Sequence, residues 1–266
     1  MIDPSRAVFF IPAHLKRFKL DLFERVARGI EARGGRVVRG DFGALDKVRP
    51  DEVPIVGCTP ELRPLIDRWR ESKQSWVYWD RGYARRVFAT WLPRGVNGGY
   101  YRWHSGAFQL REAPRGASGA RWQALGIPLA PWSRGGRHVV IAAPTRTYAR
   151  FHRCETWIAD TIDALARVTD RQLVIRDKES RRSLMADLEG AHALVTHGSI
   201  AAVEAAILGT PVFVDASSAA ALVGHTDLKH IEAPAYPDRE PWCHALANSQ
   251  FTEAELVDGT LWRMLA

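Results

Sequence analysis

The amino-acid sequence predicts an α/β protein with two lobes, each built on a parallel β-sheet that helices cover. Two runs of alternating apolar strands and amphipathic helices predict this fold, one in residues 7–79 and one in residues 138–214. The segment 128–136 is rich in proline and glycine and separates the two runs. We therefore expect an N-terminal lobe of residues 1–134 and a C-terminal lobe of residues 135–266.

The first run predicts alternating elements of the N-terminal lobe. Apolar side chains recur at helical spacing at Phe18, Leu22, Val26 and Ile30, between two apolar strands. Strands are expected at 7–11, 36–38, 53–57 and 75–79, and a further helix at 60–71. The stretch 92–121 departs from this pattern, because glycines lie between its aromatic residues, and it predicts loops with short antiparallel strands.

The second run predicts the C-terminal lobe in the same way, and no repeat of fixed period accompanies it. Strands are expected at 138–143, 172–175, 191–195 and 211–214, and helices at 155–168, 183–189 and 200–208.

The composition is that of a folded protein. Of the 266 residues, 46% are hydrophobic and 25% are charged, which excludes disorder over most of the chain. No apolar stretch approaches membrane-spanning length and the first residues lack a signal-peptide pattern, so we expect a soluble, cytoplasmic protein with no membrane partner. Cys58, Cys154 and Cys243 form no C-x-x-C pair, which favours buried, reduced thiols over disulfides or a structural zinc site.

The charge and the aromatic content together indicate an anionic partner. The formal net charge is +7, arginine supplies most of the positive charge, and there are ten tryptophans. Arginine lies beside tryptophan at Arg68–Trp69, Arg102–Trp103 and Arg121–Trp122. Such pairs suit a surface that holds phosphates and stacks bases. The alternative is that the tryptophans belong to the core and the arginines to a solvated face.

The segment 193–214 has the pattern of a phosphate-binding turn. An apolar strand ends in a tight Gly-Ser turn, Ser199 can cap an alanine-rich helix, and Gly209 can end that helix before a new strand. Free N–H groups and a helix dipole then meet at the carboxyl edge of a parallel sheet, where α/β proteins bind diphosphates. Glu204 follows one turn later and can accept the hydroxyls of a ribose. The alternative is a plain strand–turn–helix with Glu204 exposed.

The same residues resemble a known family. His197-Gly198-Ser199, followed by Val203-Glu204-Ala205 and Gly209-Thr210-Pro211, resembles the donor-nucleotide segment of GT-B glycosyltransferases, nearest to capsule-type and phage-encoded members. The C-terminal run with Thr226-Asp227-Leu228 and Pro237-Asp238-Arg239 resembles phage proteins of this kind, and the resemblance covers about half the chain. It implies two Rossmann-like lobes facing a central cleft. It also implies that His197, Gly198 and Ser199 bind the diphosphate and Glu204 the ribose.

Two more loops leave strand ends on the edge expected to hold the donor. Thr145 and Arg146 follow the first strand of the C-terminal lobe, and Arg176 and Lys178 follow the next. Their hydroxyl and cationic groups can bind the donor phosphates and neutralise the leaving diphosphate. Ser217 and Ser218, after the strand at 211–214, are weaker candidates of the same kind. The alternative is that these loops are merely solvated.

In the N-terminal lobe, Asp80 ends a predicted strand and is our candidate general base for the acceptor hydroxyl. It can instead cap a helix or pair with Arg81, Arg85 or Arg86, and His14 and His104 are rival bases. The residues expected to hold the acceptor are Arg81, Tyr83, Arg102, Trp103 and His104.

Missing motifs narrow the reaction class. The sequence lacks G-x-x-x-x-G-K-[ST], G-x-G-x-x-G, H-E-x-x-H and G-x-S-x-G, which weakens kinase, oxidoreductase, metalloprotease and serine hydrolase assignments. It also lacks a D-x-D triplet, so we expect transfer without a metal, and a nucleotide sugar as co-substrate in place of a bound cofactor.

The resulting hypothesis is transfer of a hexose from a nucleotide diphosphate sugar, a UDP-sugar above all, to a hydroxyl acceptor. The charge, the tryptophans and the resemblance to phage proteins suggest DNA carrying a 5-hydroxymethylpyrimidine such as 5-hydroxymethylcytosine, in a bacterial host cytoplasm. One alternative is a cell-envelope polysaccharide glycosyltransferase or a nucleotide-sugar epimerase. Another is a non-catalytic nucleic-acid-binding protein. The oligomeric state, the sugar and the stereochemistry stay open.

Overall fold

The computed structural model describes residues 2–15, 17–57, 59–84, 99–113, 117–180 and 182–264, apart from the side chains of residues 17–19. Contacts divide the chain into two compact units. Unit 1 comprises the described residues of Met1–Gly82, Arg94–Phe108 and Ser249–Ala266, and unit 2 those of Tyr83–Pro93 and Gln109–Asn248. This grouping differs from the expected division at residue 134, because residues 109–134 group with the C-terminal sheet and the last segment returns to the N-terminal one.

Unit 1 is built on a six-stranded sheet. Its strands are β1 (Ala7–Pro12), β2 (Arg36–Gly40), β3 (Val53–Val56), β4 (Val77–Arg81), β5 (Tyr100–Ser105) and β10 (Gln250–Thr252). They lie in the order β10-β5-β4-β3-β1-β2. The strands β1 to β4 pair in parallel, whereas β5 runs antiparallel to both β4 and β10. The antiparallel β5 confirms the change of pattern expected after residue 92.

The core of unit 1 lies between this sheet and its helices. These are α1 (Arg17–Glu31), α2 (Arg63–Glu71), α9 (Glu253–Asp258) and α10 (Thr260–Met264). The helix α1 packs on α9, and Thr252 and Glu255 form a capping box that starts α9. Phe9, Trp79 and Trp103 share one hydrophobic cluster with residues of α1, α9 and α10. The C-terminal segment therefore completes both the sheet and the core of unit 1.

Unit 2 is built on a four-stranded, entirely parallel sheet. Its strands are β6 (His138–Ala142), β7 (Gln172–Arg176), β8 (Ala191–Thr196) and β9 (Val212–Val214), in the order β7-β6-β8-β9. Its helices are α3 (Ala120–Leu125), α4 (Arg146–His152), α5 (Trp157–Leu165), α6 (Leu184–Leu188), α7 (Ile200–Ile207) and α8 (Glu240–Asn248). Residues of β6, β8 and α5 share one core cluster. The strands agree with the sequence prediction, whereas α3 and α4 begin in segments that it assigned to loops and were not predicted as helices.

Helix α7 is almost entirely buried, and contacts with other segments of unit 2 hold its C-terminal end. Every residue from Ala201 to Ile207 is buried. After the helix, Gly209 adopts φ +88° beside the carbonyl of Pro131, where a side chain has no room. The guanidinium of Arg239 donates to the Ala206 and Ala130 carbonyls and lies 3.8 Å from the centre of a tryptophan ring. A cation on the last carbonyls suits the negative end of the helix dipole.

The described cysteines and helices agree with part of the sequence prediction. Cys243 is buried and Cys154 is half-buried, both as free thiols. Burial raises the pKa of Cys154 to about 11 and that of Cys243 to about 12, so both are protonated and unreactive at neutral pH. Cys58 lies outside the described residues. Across the part of the chain that the structure describes, each helix is too short or too polar to cross a lipid bilayer.

Candidate functional site

Three adjacent strands of unit 2 run into capped turns at one edge of the sheet. The strands β6, β8 and β9 lead to Thr145, Ser199 and Ser218. Each hydroxyl accepts a hydrogen bond of 3.2 Å from a backbone N–H in the helical turn that follows. Because the strands are parallel, all three turns lie at their carboxyl ends. The first N–H groups of a helix have no intrahelical acceptor, so this edge gathers donors and positive dipole ends.

The turn between β8 and α7 has the geometry expected from the sequence at Ser199, which is the N-cap of α7. Gly198 is buried and does not face open space, so its environment gives no support to the expected contact with a diphosphate. A Cβ built at Gly198 would overlap the hydroxyl of Tyr148, which fills the space in front of it. We therefore assign Gly198 to the close approach of Tyr148, and the donors left at this turn belong to Ser199 and Ile200.

His197 lies half-buried among aromatic rings. Its Nδ1 is 3.2 Å from the Tyr148 hydroxyl, and the rings of His152 and Trp157 lie 5.8 and 6.3 Å away between centroids. Burial lowers the pKa of His197, and the charge of Asp215 offsets part of that effect. The imidazole is therefore neutral at physiological pH and acts at this edge through hydrogen bonds rather than charge.

Asp215 lies in the turn after β9, beside His197, and Arg111 contacts the same turn. The Asp215 N–H donates to the His197 carbonyl at 2.9 Å, and the carboxylate accepts from the hydroxyl and N–H of Ser217. Burial alone would raise the pKa of Asp215, but these hydrogen bonds and the charges of His197 and Arg111 outweigh it and lower that pKa. Arg111 donates to the Ala216 carbonyl at 2.7 Å. The sequence analysis did not identify Arg111 or Asp215.

Gln109 is a second residue that sequence reasoning missed. Its side chain donates to the Gly198 carbonyl at 2.7 Å and accepts from the Ala219 N–H at 2.9 Å. It therefore joins the turn after β8 to the turn after β9. No local pattern could identify it, because its partners lie 89 and 110 positions away in the sequence.

The predicted donor loops occupy different environments. Thr145 and Arg146 are exposed at the start of α4, on the same edge as Ser199. Arg176 instead donates at 2.9 Å to the buried carboxylate of Asp187, which also pairs with Arg182 at 3.2 Å. Lys178 is exposed in the loop after β7, the strand at the sheet edge. Arg176 is thus held by a structural ion pair, and the donor role predicted for Arg176 and Lys178 gains no support.

Glu204 lies inside the buried face of α7. It is 5% exposed, so the alternative of a solvated glutamate is wrong. It lies four positions after Ile200, on the same side of the helix. Its predicted contact with a ribose stays a prediction.

Asp80 is part of a polar cluster in unit 1. Its carboxylate accepts from Arg102 at 2.9 Å, from the Tyr78 hydroxyl at 3.2 Å and from the Arg81 N–H at 2.7 Å. Arg102 is buried and also donates to the Arg81 carbonyl at 2.9 Å. Asp80 therefore forms an ion pair with Arg102, which the sequence analysis assigned to the acceptor and did not name as a partner of Asp80. The role of Asp80 as general base stays a prediction. Arg85 and Arg86 lie outside the described residues.

Four of the five residues predicted to hold the acceptor are buried, namely Arg102, described above, and Tyr83, Trp103 and His104. Trp103 is 1% exposed, and its ring packs on Phe9 and Trp79 in the core of unit 1. Tyr83 is buried and accepts the Leu110 N–H at 2.7 Å. Burial, with the charge of Arg102, lowers the pKa of His104 to about 3. These side chains offer no free ring face to a ligand, so we correct the expectation that they stack on an acceptor.

The two rival candidates for the general base, His104 and His14, lie in different environments. His104 is neutral and buried, whereas His14 is exposed in the turn after β1.

The tryptophans beside arginine belong to the core, which was the alternative to a base-stacking surface, since Trp69, Trp103 and Trp122 are all buried. Among the described residues, no group of three or more His, Cys, Asp or Glu side chains is placed to hold a metal ion. The expectation of metal-free transfer stays a prediction.

The two units together have a counterpart among solved structures. KpsC of Thermosulfurimonas dismutans, described as a β-Kdo 2,7 transferase, superposes with a TM-score of 0.58 at 13% sequence identity, over 96% of this chain and 99% of that chain. The chain shares the fold of a sugar transferase. A second KpsC structure from the same organism, described as a β-Kdo 2,4 transferase, gives a TM-score of 0.48 at 13% identity, over 91% and 90%.

This likeness confirms the α/β fold class, with one unit on a largely parallel sheet and one on an entirely parallel sheet. At 13% identity it establishes the fold and not the activity. No protein-family model matches the chain, and no curated protein matches its sequence.

Proposed function

We propose that this protein is a glycosyltransferase that moves a sugar from a nucleotide-activated donor to a hydroxyl acceptor. The observation that carries the proposal is the edge of unit 2 where three adjacent strands each lead to a capped turn, at Thr145, Ser199 and Ser218. Helix N-termini and their free N–H groups bind phosphate oxygens. The proposal assigns the donor phosphates to this edge.

The side chains around the edge suit a leaving phosphate. His197 is neutral and can exchange hydrogen bonds with a phosphate oxygen. Arg146 is an exposed cation at the start of α4. Arg111 is an exposed cation that donates to the Ala216 carbonyl in the turn after β9. Cations placed where charge develops stabilise the departure of a phosphate in the way that a metal does elsewhere. Glu204, four positions after Ile200, is proposed to hold the ribose.

The reaction class is supported by the solved sugar transferase that shares this fold. The finer hypothesis of a UDP-hexose donor is kept as one arm of the test, beside a nucleoside monophosphate donor, because either places a phosphate at the Ser199 turn. DNA as the acceptor was inferred from the net charge, the tryptophans and the resemblance to phage proteins. The three tryptophans beside arginine, Trp69, Trp103 and Trp122, are buried, so the acceptor is proposed only as a hydroxyl group.

The backbone N–H of Ile200 offers a direct test of the donor site. Ile200 is the first residue of α7, a position that tolerates proline, and Ser199 before it has φ −66° and ψ 146°, which a residue preceding proline prefers. Ile200→Pro therefore removes one N–H without ending the helix. Ile200→Ala keeps that N–H and serves as the matched control for the lost side chain.

The experiment compares UDP, GDP, CMP and their sugars, including a nucleotide-activated Kdo, by thermal shift and calorimetry. A bound nucleotide raises Tm because it stabilises the folded state. We expect at least one nucleotide to bind, and Ile200→Pro to weaken that binding about tenfold more than Ile200→Ala. Absence of binding by every nucleotide, or equal affinities in the two variants, contradicts the proposal. Release of free nucleotide in the presence of a saccharide or hydroxymethylcytosine DNA then identifies the acceptor.

A further inference from the structure

A buried amide joins two turns of the candidate donor edge. Gln109 is 3% exposed, donates from Nε2 to the Gly198 carbonyl at 2.7 Å and accepts at Oε1 from the Ala219 N–H at 2.9 Å. A carbonyl can only accept and an N–H can only donate, so these two partners fix which end of the amide faces which turn. Both ends of the side chain are thus used.

The bond to Gly198 determines the direction of the next N–H. The Gly198–Ser199 peptide is planar and trans, so its C=O and its N–H point to opposite sides. Holding the Gly198 carbonyl towards Gln109 therefore directs the Ser199 N–H away from Gln109. A peptide beside glycine rotates more easily than others, because glycine allows a wide range of backbone angles.

Other contacts of this turn do not replace Gln109. The Asp215 N–H binds the His197 carbonyl at 2.9 Å, one peptide earlier. The Tyr148 hydroxyl binds His197 Nδ1 at 3.2 Å and lies in front of the Gly198 Cα. These contacts restrain His197 and the Cα of Gly198, whereas Gln109 binds the carbonyl of the peptide that ends at Ser199.

We propose that Gln109 is a positioning residue, which holds the Gly198–Ser199 peptide so that the Ser199 N–H binds a phosphate of the donor. The ligand in this inference rests on the proposed function, whereas the peptide geometry does not. The bond to Ala219 has the second effect of holding the Ser218 turn against the Ser199 turn. Gln109 touches no reacting atom and acts through the backbone.

Gln109→Glu tests this role with a change of one heavy atom, the amide nitrogen to an oxygen. An ionised carboxylate still accepts from Ala219, but it places an oxygen against the Gly198 carbonyl, which cannot donate. A protonated carboxyl can donate to that carbonyl and so restores the wild-type pattern. Because burial raises the pKa of a carboxyl group, the variant is protonated and keeps the wild-type pattern at about pH 5, and it is ionised only at a higher pH, above that raised pKa, which a titration of the variant determines before the comparison.

Two measurements decide the outcome. Crystal structures of Gln109→Glu should show the Gly198–Ser199 peptide rotated at a pH above the raised pKa of the new carboxyl group and in its wild-type orientation at about pH 5. Calorimetry with UDP and CMP should show affinity about tenfold below wild type at the higher pH, and recovered relative to wild type at the lower pH. If Gln109→Glu does not fold at the higher pH, Gln109→Met replaces it there, since methionine also lacks the donor.

Arg239→Met is the matched control, because Arg239 binds backbone carbonyls at the other end of α7. It should lower Tm without a pH-dependent loss of affinity. An unrotated peptide in Gln109→Glu at the higher pH overturns the inference, and so does an equal loss of affinity in Arg239→Met. If wild type binds neither UDP nor CMP, the proposed donor site fails, and the crystal structures still decide whether Gln109 sets the peptide.

Discussion

Gly198→Ala should destabilise unit 2 through a single neighbouring atom. The Gly198 backbone is outside the left-handed region, so alanine is compatible with its conformation. The added Cβ would overlap the Tyr148 hydroxyl, whereas Tyr148 Cζ would be 3.4 Å away and Gln109 Nε2 3.3 Å away. The hydroxyl must therefore move, and its 3.2 Å contact with His197 Nδ1 is lost.

The expected cost follows from these two effects. Overpacking a well-filled site costs about 1–3 kcal/mol, and one lost hydrogen bond about 1 kcal/mol, so Gly198→Ala should cost roughly 2–4 kcal/mol. For a chain of this size that corresponds to a fall in Tm of roughly 10 °C. Tyr148→Phe alone should cost about 1 kcal/mol, since it removes only the hydroxyl.

The double variant isolates the overlap. Without the Tyr148 hydroxyl, the new Cβ has room, so adding Gly198→Ala to Tyr148→Phe should cost less than about 1 kcal/mol. Scanning calorimetry of the four proteins, with the unit 2 transition fitted separately, gives the coupling energy. If Gly198→Ala costs the same in both backgrounds, the hydroxyl does not occupy the space in front of Gly198 and the assignment of that glycine is refuted.

Three further predictions concern buried side chains. His104 binds a proton near pH 6.5 when unfolded but only near pH 3 when folded, so stability should fall as the pH drops through this window. The slope should reach about 1.4 kcal/mol per pH unit and should be smaller in His104→Gln, as measured by urea unfolding at each pH. Arg176→Met should destabilise the protein by about 3 kcal/mol, because it leaves the buried Asp187 carboxylate without its 2.9 Å partner. Nucleotide affinity should be unchanged in Arg176→Met, and a loss would restore its predicted donor role. Trp103→Ala should cost about 3–5 kcal/mol in Tm-based stability measurements, and Trp103→Phe clearly less, whereas a binding residue would lose affinity rather than stability.

Local chemistry explains why the donor turn could be predicted from the sequence. Ser199 caps α7 and Gly209 follows its end at φ +88°, as their positions beside an alanine-rich run indicate. Capping depends on residues within one turn of each other, so the sequence pattern contains the whole interaction. The parallel strands β1 to β4 and β6 to β9 were predictable for a similar reason, because such strands are short apolar runs bounded by polar residues. The antiparallel strand β10 was not predicted.

Long-range contacts explain what the sequence could not predict. The environment of Gly198 depends on Tyr148, in the helix α4 that Thr145 caps, and the sequence analysis had placed the start of this helix in a loop. Trp103 beside Arg102 suggested a surface, yet the strand β5 alternates, so one side chain enters the core and the next pairs with Asp80. The same alternation holds for any strand, but which face is buried depends on partners that are distant in sequence.

The position of β10 affects the order in which the protein assembles during its synthesis. This strand pairs with β5 at residues 100–102, and the helices that follow it pack into the core of unit 1. During translation, the edge of β5 that pairs with β10 stays unpaired until residues 250–252 have been synthesised. The strands of unit 2 lie within residues 138–214 and become available earlier. Nascent chains that end before residue 250 therefore expose the unpaired edge of β5, and chaperones bind exposed strand edges of this kind.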